Sequence, residues 1–91
     1  MKQSQAEAVL ETLVEDLAAI EHERWAHWQR YMHDKGERQP DGSLVLSAEL
    51  VRHWDMQIAA GYANLSESEK SSDREQVRRY LPLIATALAA R

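Results

Sequence analysis

The sequence predicts an all-α protein: three main helices, a short helical turn, and a Pro-Asp-Gly loop or small hairpin. Three observations lead there. Residues 5–35 contain neither Gly nor Pro, and their apolar residues recur at helical spacing. Serines at 47 and 66 stand where helix N-caps are needed. The one β-prone run, Leu44-Val45-Leu46, is three residues long, too short to found a sheet.

Each element follows from local chemistry. Leu10, Leu13, Val14 and Leu17 start an apolar face that Trp28, Tyr31 and Met32 continue. One long helix is expected there, bent or split in its N-terminal third, with residues 1–5 frayed. Gly36 stops it, and Lys35 sits in the last turn. Residues 36–47 form the loop, turned by Pro40-Asp41-Gly42, because Pro presets φ and Gly accepts a positive φ. Ser47 caps a helix from Ala48 to about Ala60, with Leu50, Val51, Trp54 and Ile58 on one face and Gly61 after it. Two capping boxes follow, Ser66 with Glu69 and Ser72 with Glu75. They predict a helical turn over 67–71 and a last helix from Asp73. Val77, Leu81, Ile84 and Leu88 are the expected core stripe of that helix, and Pro82 is expected to kink or break it.

A chain of 91 residues holds one domain, 1–91, with a thin core that self-association would reinforce. It has no cysteine, so disulfides and thiolate metal sites are excluded. The longest apolar runs are far short of the roughly 20 residues of a membrane span. No basic-then-apolar leader opens the chain, so the cytoplasm is the expected location. The net charge of −4 argues against nucleic acid as a partner. That charge is uneven: residues 1–65 carry six Lys/Arg and eleven Asp/Glu, whereas residues 66–91 carry five and four.

The segment Ile20–Tyr31, IEHERWAHWQRY, holds the densest chemistry. It looks like a zinc-binding HExxH helix, but His22 and His27 are five residues apart. At about 100° per residue they diverge by roughly 140° and cannot share one ion from a regular helix. No metal, cofactor or catalytic residue is expected. Glu21 and Arg24 are the informative pair. They fall on the apolar stripe of Leu10, Leu17 and Trp28, so each must be paired or must line a polar pocket. His22 and Trp25 share the adjoining face. Lys70, Arg74 and Arg78 recur every four residues near a capped helix start, a pattern that reads as a solvated basic face or as a clamp for phosphate or carboxylate.

Two blocks in this order resemble the ryanodine receptor repeat (RyR) domain. LAAIEHERWAHWQR carries Leu17, Ala18, His22 and Trp25 at the places of that family's opening helix. YANLSESEKSSDREQV carries Tyr62, Leu65, Glu67, Glu69, Lys70, Asp73 and Arg74 at those of its second block. The resemblance spans about 17–85. It departs from the family in the linking segment, where the first helix runs on to Gly36 and a helix with Trp54 replaces a short Pro-containing link. The resemblance implies a non-enzymatic, all-α binding module of the stand-alone bacterial or phage type. Its ligand would be a nucleotide-derived signalling molecule, which it senses or sequesters. In that reading Trp25 or Tyr62 stacks on a ring. Lys70 and Arg74 meet phosphate, His22 with Glu21 meets sugar or base edges, and Arg24, Asp73 and Arg78 complete the ligand-binding set.

A different reading is a protein–protein adaptor or phage accessory protein acting as a helical homodimer that buries the Leu10–Leu17 end. An enzyme is not expected. The chain has no Gly-rich phosphate loop and no metal spacing, and no carboxylates are spaced as a catalytic pair.

Overall fold

Helix α1, Gln3–Glu11, begins inside the stretch where fraying is expected, because the Gln5 side chain accepts the Lys2 backbone N–H at 2.9 Å. The computed structural model describes residues 1–90. Among them are three further helices, α2 (Val14–Lys35), α3 (Ala48–Ala59) and α4 (Glu67–Ala89), and the strands β1 (Glu37–Arg38) and β2 (Leu44–Val45). The chain is all-α apart from that two-stranded hairpin.

The long first helix of the sequence reading is divided at Thr12-Leu13. The Thr12 hydroxyl donates to the Val9 carbonyl at 2.6 Å, and the Thr12 and Leu13 amides donate three residues back instead of four. A side chain that competes for a backbone carbonyl tightens the turn and redirects the axis. Leu13, at the divide, is 7% exposed and is the one buried hydrophobic residue among those described.

The loop folds as the sequence indicates. β1 and β2 pair antiparallel, Glu37 with Val45 and Arg38 with Leu44. Gly42, at φ 90°, follows Pro40-Asp41 in the three-residue loop, where a residue with a side chain would be strained. Asp41 Oδ1 accepts the Ser43 hydroxyl at 2.6 Å and its amide at 3.0 Å, which holds the Asp41 carboxyl below its ordinary pKa.

Ser47 caps α3 by accepting the Leu50 amide at 3.1 Å. A 3₁₀ turn over Tyr62–Asn64 leads into α4. The Ser66–Glu69 capping box closes in both directions at 3.1 Å. The second box, at Ser72, is not used: α4 runs unbroken from Glu67 to Ala89, so the residue 72 region is helix interior and not a helix start. Helix also continues through Pro82, whose ring nitrogen cannot donate to the Arg78 carbonyl.

α4 packs on α1 and α2. The half-buried residues Glu69, Gln76, Tyr80, Leu83 and Ala87 lie on one face of it. Polar ties cross from α2: Glu21 accepts the Tyr80 hydroxyl and Glu23 pairs with Arg79. Their order reverses between the helices, so α2 and α4 run antiparallel. The expected core stripe of α4 is therefore not its packed face. Val77, Leu81 and Leu88 are 53%, 51% and 42% exposed.

The result is an open body of 54 × 33 × 19 Å with a radius of gyration of 18.2 Å. A compact chain of this length has a radius of about 12 Å. The accessible surface is 7302 Å², against about 5,400 Å² for a compact monomer of 10.5 kDa. No helix among the described residues is long and apolar enough to cross a membrane.

Candidate functional site

A cleft of about 620 Å³ lies between α2, α3 and α4. Its apolar walls come from Trp28 and Met32 on α2, Trp54 and Ile58 on α3, and Leu65. Trp28 and Trp54 meet edge to face, with ring centroids 6.1 Å apart and planes inclined by 66°. An edge-to-face pair covers a face of only one of its two rings. Tyr31 stacks on Trp28 with ring centroids 5.3 Å apart.

Polar groups rim the cleft with mixed charge. Arg24 and His27 project from α2, and Glu69, Ser72, Asp73 and Gln76 from α4. Several of these are already committed. Arg24 pairs with Glu21 at 3.2 Å, both side chains about half exposed, which satisfies the charges that interrupt the apolar stripe. Glu69 accepts Ser66 and the Gln57 side chain, and these bonds hold its carboxyl below the ordinary glutamate value, the Ser66 bond first. The Glu69–Gln57 bond also ties α3 to α4, and both residues line the cleft. His27 and Asp73 make no hydrogen bond or ion pair among the described residues, so their polar atoms remain available to a ligand.

A second, shallower groove of about 350 Å³ runs along the outer side of α4. Tyr62, Asp73, Arg74, Val77, Arg78 and Leu81 line it. Lys70 lies over the Tyr62 ring at 5.8 Å, a cation–π contact. Arg74 is held by Glu67 at 3.3 Å, and that pairing raises the guanidinium pKa further above its already high ordinary value.

The residues singled out in the sequence thus divide. Arg24 and Asp73 line the cleft. Tyr62, Arg74 and Arg78 line the groove, with Lys70 at its edge, and Asp73 touches both. Glu21 is taken up by Arg24 and Tyr80, and the Glu21 bond raises the Tyr80 phenol above its ordinary pKa. His22 and Trp25 stack on each other at 5.9 Å and line neither concavity, and Trp25 is 59% exposed. Sequence reasoning missed His27, Trp28 and Trp54 as cleft residues. The signal for Trp54 was its place in a helix inserted between the two blocks, which gives the cleft its third wall.

No three His, Asp or Glu side chains converge as a metal site among the described residues. Compared with protein-family models, curated proteins and solved structures, the chain matches none.

Proposed function

We propose that this chain is a non-enzymatic binding module whose site is the cleft between α2, α3 and α4. The observation that carries the reading is the cleft itself. Two indoles line a volume within the range of small-molecule sites, and the uncommitted His27 and Asp73 stand at its rim. Such a site suits a flat ring with polar edges. The ring packs on Trp28 or Trp54, and Asp73 accepts from a base amine or sugar hydroxyl. Asp73 also borders the groove of Arg74 and Arg78, so an attached phosphate would reach those cations around the shoulder of α4. This agrees with the nucleotide-derived ligand that the RyR resemblance implies, and a sensor or a sequestering role follows from it.

Calorimetry with cyclic and ADP-ribose-type nucleotides tests the proposal. A member of the panel should bind, and Trp54→Ala should weaken it at least tenfold. Arg74→Ala should cost about 1.5–3 kcal/mol if it meets phosphate. Dissociation constants all weaker than about 1 mM, some 4 kcal/mol, would remove the support for a nucleotide site.

A second reading is favoured by a separate observation. The surface exceeds that of a compact chain by about 1,900 Å², which suits an interaction module that assembles with itself or with another protein. The end that the sequence offers for this, Leu10–Leu17, is partly consumed within the chain, where Leu13 is buried and Leu17 half-buried.

A further inference from the structure

We propose that the outer stripe of α4 is a self-pairing seam, on which α4 of a second copy of this chain lies antiparallel and crosses at Leu81. The inference rests on the interaction reading of the open surface; the seam covers the groove of Arg74 and Arg78, so in the paired protein a ligand is held by the cleft alone.

The stripe has the repeat of a helix–helix seam. Lys70, Arg74, Val77, Leu81, Ile84 and Leu88 alternate at spacings of four and three, the heptad pattern of paired helices. It is centred about 110° around α4 from the face that packs on α2. Its apolar members should be covered, yet Val77, Leu81 and Leu88 are each two-fifths or more exposed in the single chain. The groove beside Val77 and Leu81 is a ready hole for a knob from a facing helix.

Area and charge both point to a second copy as the occupant. Each partner of a standard interface gives up about 800 Å². The surface in excess of a compact chain is more than that, and the stripe lies around α4 from the cleft, so it can be covered while the cleft stays open. A parallel pair would set Arg74 against Arg74 and Arg78 against Arg78. An antiparallel pair about Leu81 separates the two Arg74 residues by about 21 Å along the axis, beyond the roughly 8 Å screening length. It also sets Arg74 opposite Leu88 of the second copy, in the last turns of its α4. The last turn of α4 has no basic residue of its own among the described residues, and the carbonyl end of a helix attracts cations. Each copy places Arg74 against the carbonyl end of the other's α4, and the two contacts are equivalent, as a two-fold interface requires.

Two measurements on the full chain test this. Sedimentation should give a mass of two chains, and Leu81→Glu should reduce it to one while circular dichroism keeps its helical signal. The chain has no cysteine, so single substitutions report on geometry directly. Leu81→Cys should form a disulfide-linked dimer under mild oxidation, whereas Leu88→Cys and the solvent-face variant Ser71→Cys should not. A two-chain mass that persists in Leu81→Glu, with no Leu81→Cys cross-link, overturns the seam but leaves the interaction reading standing. Efficient cross-linking of Leu88→Cys overturns the antiparallel arrangement. A one-chain mass for the unaltered protein at every concentration overturns the seam and self-association together.

Discussion

Leu13→Ala is the substitution that most directly probes how a chain with so thin a core holds together. Leu13 is 7% exposed, and it sits where α1 turns into α2. The change removes three carbons. At about 0.8 kcal/mol per buried carbon, the lost transfer energy is about 2.4 kcal/mol. Buried Leu→Ala changes span about 2–5 kcal/mol, the upper end coming from cavities that cannot collapse. Here the flanking Leu10 and Val14 are more than two-fifths exposed and free to move, so the cost should stay near 2–2.5 kcal/mol. Leu10→Ala, starting from a side chain 43% exposed, should cost about 1.4 kcal/mol. The assay is urea unfolding followed by circular dichroism at one fixed protein concentration, because self-association shifts apparent stability by mass action. A Leu13→Ala cost below 1 kcal/mol, or one equal to that of Leu10→Ala, would refute the placing of the core at the α1–α2 divide.

Three further outcomes follow from the caps and polar ties. Ser66→Ala opens the capping box of α4 and should cost about 1 kcal/mol by the same assay. Glu69 has a depressed pKa, so its bonds add stability above the ordinary glutamate pKa that is lost as pH falls through the lower folded value. Unfolding midpoints should therefore drop on acidification, and less steeply in Glu69→Gln. Tyr80 is shifted upward by Glu21, so ultraviolet titration of the three tyrosines should show one ionising above its ordinary value, and Tyr80→Phe should remove that component.

Local chemistry made part of this fold legible and misled on another part. The Ser47 cap, the Ser66–Glu69 box and the Pro-Asp-Gly turn were readable because each is decided by bonds within three or four residues. The Ser72–Glu75 box carries the same signature, yet it lies inside α4, where backbone amides are already bonded within the helix. The split falls in the expected N-terminal third of the first long helix, but its place at Thr12 depends on a hydroxyl-to-carbonyl bond that spacing does not show. At the candidate site, spacing identified the Glu21–Arg24 pair. Spacing does not say which side of α2 faces α3, so Trp25 was placed in the pocket where Trp28 stands. The stripe of α4 shows the same limit. Its heptads identify a face that wants cover, and the single chain does not supply that cover.

Native mass spectrometry of the purified protein, alone and with the nucleotide panel, tests most directly whether this open chain is a binding module. A binding module that pairs with itself gives a species of two chains that takes up one small molecule per chain. Bare single chains throughout, at every concentration and with every member of the panel, would contradict it.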